Sequence, residues 1–160
     1  MIVHPIPPLF NAESEVLILG SFPSVKSREA AFFYGHPQNR FWTVIAEIFG
    51  AEKPLTIEDK KKLILSNKLA LWDVIAQCEI EGSADSTITE VTANDLSIIL
   101  ENSNVKKIFV NGKTAEKYYN KYTYPKTGIK AVCLPSTSPA NSAWNIEKLV
   151  KKWKIVTADE

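Results

Sequence analysis

Polar, turn-forming residues stand directly behind each of four short apolar runs. The run V-L-I-L-G (16–20) leads into Gly20-Ser21-Phe22-Pro23-Ser24, and L-A-L-W (69–72) leads into Asp73. K-I-F-V (107–110) leads into Asn111-Gly112-Lys113, and A-V-C-L (131–134) into Pro135-Ser136-Thr137-Ser138-Pro139-Ala140-Asn141. Any one of these stretches is what a turn needs. Four of them, at the ends of four runs, describe a crevice that can hold an anion. The serine-rich turn at 136–142 opens a helical pattern, where backbone N–H groups and hydroxyls can bind a phosphate.

The segment Ser24–Trp42 (S-V-K-S-R-E-A-A-F-F-Y-G-H-P-Q-N-R-F-W) reads as a loop longer than a turn requires, with three consecutive aromatics beside G-H-P. Two readings of Phe32, Phe33 and Tyr34 stand side by side: a local core, or a stacking platform for a planar base.

These residues need elements to position them. Each apolar run is strand-length and nearly continuous rather than alternating, as in a parallel sheet buried on both faces. Helical patterns lie between the runs. One covers 39–49, with Phe41, Trp42, Ile45, Ile48 and Phe49 at near-helical spacing; another covers 56–66, behind Pro54. Further patterns cover 94–101, 112–120 and 142–153, the last with Trp144, Leu149, Val150 and Trp153 as its stripe. Strands alternating with helices predict an α/β fold with a parallel sheet covered on both faces. In such a sheet, ligands sit beyond the carboxyl ends of the strands. Residues 79–92 read as a polar surface loop.

A length of 160 residues suits one domain, 1–160. With 45% hydrophobic and 23% charged residues the composition is globular, and no apolar run is long enough to span a bilayer. The opening M-I-V-H-P-I-P-P-L-F has neither the basic start nor the apolar core of a signal peptide, so an intracellular protein is expected. Cys78 and Cys133 read as buried free thiols. His4 and His36, far apart and with no cysteine near them, give no zinc pattern, so no metal and no cofactor are expected. The net charge of +1 hides an asymmetry: residues 1–100 carry −5 and residues 101–160 carry +6. Such a split permits a basic face for nucleic acid. For K-L-V-K-K-W-K (148–154), a solvated helix face is the simpler reading.

G-S-F-P-S (20–24), Y-G-H-P-Q-N-R-F-W (34–42) and L-P-S-T-S-P-A-N (134–141) together resemble the uracil-DNA glycosylase superfamily. The 34–42 segment is similar to the mismatch-specific uracil/thymine enzymes. With L-W-D-V-I (71–75), G-S-A-D-S (82–86) and V-N-G-K (110–113), the whole set is most similar to the hypoxanthine-DNA glycosylase branch, family 6. The resemblance covers about residues 15–145. It implies a three-layer αβα sandwich around a central four-stranded parallel sheet, in a monomer that acts on single- or double-stranded DNA containing deaminated bases.

Position by position, the resemblance implies the following roles. Phe22 stands where relatives carry a water-positioning Asp or Asn, so that role passes to Asn39, whose amide would accept from water while donating to the substrate. Tyr34 would stack on the extruded base, with Phe22 packing on another part of the pocket. Asp73 and Ser21 would select the base by hydrogen bonding, the Asp73 carboxylate accepting from a ring N1–H, and Gly20 and Asn111 complete the base-binding set. Leu134 replaces a His or Asn, which leaves that donor position empty. Ser24, Lys26, Lys113, Ser136, Ser138 and Asn141 would hold the DNA, chiefly through phosphates, with Ser138 where many relatives have a bulky wedge. The implied reaction is hydrolysis of the N-glycosidic bond of deoxyinosine to an abasic site, without a lyase step. Uracil, xanthine or mismatched thymine are alternative bases, and a non-catalytic damaged-DNA-binding module is the alternative class.

Overall fold

The computed structural model describes residues 1–158. Its centre is a four-stranded parallel sheet made from the four apolar runs: β2 (Val16–Gly20), β3 (Leu69–Asp73), β6 (Lys107–Asn111) and β7 (Ala131–Leu134), in the order β3-β2-β6-β7. β2 lies inside, with Val16 opposite both Leu69 and Lys107, so all its carboxyl-end residues point into the middle of one sheet edge. Alternation along β2 feeds two cores. Ile18 packs with α2 (Phe41–Ile48), α3 (Ile57–Ser66) and α7 (Ile146–Trp153), while Leu17 and Leu19 pack with Ile99, Ala115, Tyr118 and Tyr119 on the other face. The expected α/β architecture, with helices flanking four parallel strands, is the one found.

Several local expectations differ. A second sheet of three antiparallel strands, β1 (Ile2–Val3), β4 (Ile75–Glu79) and β5 (Thr89–Ala93), was not legible as strands. β1 is only two residues long, β4 mixes polar and apolar residues, and β5 is a polar, exposed edge that pairs irregularly with β4 around the left-handed Glu90. The 79–92 segment is therefore only partly loop. Within 24–42 a helix, α1 (Val25–Ala30), is capped by Ser24, whose Oγ accepts from Ser27 N, and closes at Ala31 in the left-handed region. α2 starts at Phe41 rather than Asn39, and α7 starts behind its cap Asn145 rather than at Ser142. The 94–101 pattern yields only α4 (Ser97–Leu100). α5 (Lys113–Tyr118) runs into a π turn, Tyr119–Thr123, and then α6 (Tyr124–Thr127). Cys78 is buried, whereas Cys133 is half-buried, because β7 is an edge strand; both are free thiols. No described helix is long and apolar enough to cross a membrane.

Candidate active site

The carboxyl ends of the four parallel strands open into a crevice of about 570 Å³. The turn after β2 supplies Gly20, Ser21, Phe22 and Ser24 to its lining. Tyr34 and Asn39 enter from the segment ahead of α2. Asp73, Asn111, Ser136 and Ser138 come from the ends of β3, β6 and β7. Lys113 and Asn141 lie instead in an adjoining crevice with Trp144 and Lys152. Lys26 sits outside both, exposed on α1 and 3.8 Å from Glu29. Of the three aromatics, Phe32 is core, Phe33 is a core residue that also touches the crevice wall, and Tyr34 lines the crevice. The two readings of that cluster thus meet at Phe33, with Phe32 wholly core and Tyr34 at the crevice.

Asn39 is held by its oxygen. Oδ1 accepts from Phe41 N at 2.9 Å and from Thr137 Oγ1 at 2.9 Å. A backbone N–H can only donate, so the amide orientation is determined and both Oδ1 lone pairs are engaged. Nδ2 is left as the free end. The expectation that Asn39 accepts from water is thereby corrected: its spare capacity is donation. Thr137, fully buried, is the hub of this arrangement. Its Oγ1 accepts from Asn111 Nδ2 at 3.0 Å, and its N donates to Asn111 Oδ1 at 3.1 Å. One threonine thus ties the ends of β6 and β7 to the start of α2.

Arg40 completes the tie. Its guanidinium donates to the carbonyls of Thr137 (3.3 Å), Ser138 (2.8 Å), Asn141 (3.1 Å) and Trp144. An arginine fork surrounded by carbonyls fixes a turn as no point charge does. Within that turn Ser136 Oγ accepts from Ser138 N, Ser138 Oγ accepts from Ala140 N, and Asn141 Nδ2 donates to Ser136 O. The two serine hydroxyl protons remain free to donate, whereas the Asn141 amide is engaged inside the turn.

On the opposite wall Tyr34 adopts φ 51°, and its ring stacks on Phe41 with centroids 3.9 Å apart and planes 18° apart. Its hydroxyl is buried and has no hydrogen-bond partner among the described residues. Burial above all, then the Asp73 carboxylate, holds the phenol pKa far above its ordinary value, with the neighbouring Asn111 amide opposing only in part. Tyr34 Oη is therefore a donor at any ordinary pH. Gly20 makes this proximity possible: a Cβ there would lie 2.4 Å from Asp73 Oδ1 and 3.1 Å from Tyr34 Oη.

Sequence reasoning passed over four contributors. His4, from the strand-forming N-terminal arm, reaches Asp73 Oδ2 through Nε2 at 2.7 Å. Asp85, in a single 3₁₀ turn, lines the crevice and accepts from Ser21 Oγ at 3.2 Å. Desolvation of its carboxylate raises its pKa, and the hydroxyls of Ser21 and Thr114 oppose this, although the residue as a whole is exposed on its loop. Arg40 and Thr137 are the others. Both lie inside the quoted motifs, which was the available signal; nothing local to His4 marked it. No group of three His, Cys, Asp or Glu side chains that could hold a metal occurs among the described residues.

A family model described as the uracil DNA glycosylase superfamily matches residues 7–158. The chain is 32% identical over 158 residues to a hypoxanthine DNA glycosylase of Methanosarcina acetivorans, covering 98% of each. It is 33% identical over 114 residues to a hypoxanthine DNA glycosylase of Methanosarcina barkeri, covering 70% of this chain and 72% of that one. A solution NMR structure of a candidate uracil DNA glycosylase from M. acetivorans superposes with a TM-score of 0.81 at 30% identity, covering 99% of this chain and all of the other.

Proposed function

The chain belongs to the uracil DNA glycosylase superfamily and is a DNA glycosylase, and from that premise we propose that it excises hypoxanthine from deoxyinosine in DNA, leaving an intact abasic strand. The observation that carries this reading is an immobilised Asn39, with only Nδ2 free, in one crevice with the Asp73 carboxylate and the buried Tyr34 hydroxyl, which has no partner among the described residues. A base inside a duplex is unreachable, so the nucleotide is flipped out, at a cost of about a few kcal/mol that is smallest for a poorly paired base. Hypoxanthine carries a carbonyl beside an N–H where adenine carries an amino group beside a bare nitrogen. An acceptor facing the ring nitrogen, with a donor facing the exocyclic group, suits the first edge and opposes the second.

As the glycosidic bond breaks, positive charge develops on the sugar and negative charge on the base. Asn39 Nδ2 donates to one lone pair of a water and leaves the other for the sugar carbon. The water's oxygen bonds to that carbon, the bond electrons leave with the base, and the proton that the water sheds balances the one the base takes up, through solvent. Phe22 and the Tyr34 ring bound the base. Ser21 and Asn111 contribute polar contacts, and Ser24, Ser136 and Ser138 meet phosphates around the crevice mouth. Lys113 and Asn141 extend that track in the adjoining crevice, and Lys26 lies beyond it. Among the described residues no lysine lines the first crevice, which supports hydrolysis without a Schiff-base lyase step. We take 1–160 as one glycosylase domain acting as a monomer without a cofactor.

The test is a labelled-oligonucleotide assay on duplexes with deoxyinosine or deoxyuridine, followed by alkali, with Asn39→Ala in parallel and DNA binding measured for both. Alkali-dependent cleavage at deoxyinosine, lost in Asn39→Ala with binding retained, is the expected result. Cleavage at deoxyuridine alone would move the substrate to uracil, which also presents a carbonyl beside an N–H. Binding without any cleavage would overturn the enzymatic reading.

A further inference from the structure

The small antiparallel sheet has no part in the mechanism above, yet it delivers one side chain to the back of Asp73, a residue that lines the crevice. β1 pairs with β4, Ile2 opposite Cys78 and Val3 opposite Gln77, and the next residue continues the zip as His4 N donates to Ala76 O at 2.8 Å. This places the His4 imidazole behind Asp73, with both side chains almost fully buried, at 3% and 6% exposure. Phe22 and Trp72 pack against the ring edge-on, with centroids 5.9 and 6.3 Å away. Its Nδ1 accepts from Ile6 N at 3.2 Å, which makes Nδ1 the bare nitrogen and Nε2 the protonated one. Nε2–H therefore donates to Asp73 Oδ2.

The consequence lies at the other oxygen. With Oδ2 engaged, the carboxylate plane is set and Oδ1 is turned toward Gly20 and the crevice, beside the unpartnered Tyr34 hydroxyl. A proton on Oδ2 would collide with Nε2–H, so the geometry keeps that edge of Asp73 an acceptor. We propose that His4 is a specificity-determining positioning residue, which holds Asp73 Oδ1 as a fixed acceptor beside Tyr34 Oη so that the pair selects bases presenting a ring N–H next to a carbonyl. This inference rests on the reading of the crevice as a base pocket. It goes further in assigning the selection to a histidine that touches no substrate and in naming the chemical class selected, a lactam edge.

The experiment compares single-turnover cleavage of deoxyinosine with that of deoxynebularine, a purine lacking both the carbonyl and the N1–H, in identical oligonucleotides. Three proteins are used: the unsubstituted chain, His4→Leu and His4→Gln. Leucine approximates the volume without a donor, and glutamine supplies an N–H at similar reach. Losing one hydrogen bond to a charged group is expected to lower the preference for deoxyinosine about tenfold in His4→Leu. His4→Gln should recover most of it. Equal loss on both substrates, or an unchanged preference, would overturn the proposal, since a merely structural role lowers both rates together. The same proteins are titrated with free hypoxanthine and free purine and followed by line broadening in proton NMR. If the unsubstituted chain cleaves nothing but binds hypoxanthine over purine in a His4-dependent way, the glycosylase reading fails and this proposal stands. If it cleaves nothing and shows no such preference, both fail.

Discussion

Thr137→Val is the perturbation that isolates how Asn39 is held. Valine keeps the shape of a fully buried side chain and removes only the hydroxyl. Two interactions disappear together: Asn39 Oδ1 retains one donor, Phe41 N, and Asn111 Nδ2 loses its acceptor. A buried polar group left without its partner costs about 1–3 kcal/mol, so a loss near 2 kcal/mol is expected. For a chain of this length that is a fall in Tm of about 4–8 °C. The effect on rate comes from geometry. An amide pinned at both lone pairs cannot rotate, whereas one pinned at a single lone pair can swing Nδ2 off target, and about 1.4 kcal/mol of lost positioning is a tenfold slower step. Single-turnover cleavage of deoxyinosine DNA, beside thermal unfolding, measures both. Thr137→Ser keeps the hydroxyl and should restore the rate while leaving a small methyl-sized defect in stability. An unimpaired rate in Thr137→Val would refute the argument that this hydroxyl orients Asn39. If serine fell as far as valine, packing rather than hydrogen bonding would be the cause.

Asn39→Ala should slow single-turnover excision on the order of 100–1,000-fold, the usual effect of removing one preorganised donor, with DNA affinity measured by fluorescence anisotropy changing little. Gly20→Ala would put a carbon 2.4 Å from Asp73 Oδ1, where ordinary contact begins at 3.4 Å. The carboxylate must give way against its His4 tether, and a shift of about 1 Å in the pocket is expected to cost on the order of 100-fold in rate. Arg40→Lys should behave almost like Arg40→Met in denaturant titrations, because one ammonium cannot replace a fork serving four carbonyls. Asp85 has a folded-state pKa raised by desolvation, so its contribution favours the folded state below the unfolded pKa and is lost as pH rises through the folded value. Asp85→Asn should therefore be no more stable than the unsubstituted chain in acid and relatively more stable at neutral pH. Paired unfolding curves across that range that stay parallel would contradict this.

The continuity of the four apolar runs, with helical patterns between them, pointed to the parallel sheet, because strands buried on both faces must be continuously apolar. Once the strand ends were identified, the same ordering placed Gly20, Asp73, Asn111 and Ser136 at one edge of the sheet. Motif resemblance added Tyr34 and Asn39. The amide orientation of Asn39 was not legible, since it depends on a hydroxyl 98 residues away. Nor was the role of His4, whose partner Asp73 is 69 residues along the chain and is reached only because β1 pairs with β4. β5 escaped notice because an exposed edge strand need not alternate or be apolar. Local sequence determines which residues can bury themselves and which must turn. Which lone pair of a buried amide is occupied, and which oxygen of a carboxylate faces the substrate, are decided by where distant segments meet, and only tertiary packing brings those segments within 3 Å of each other.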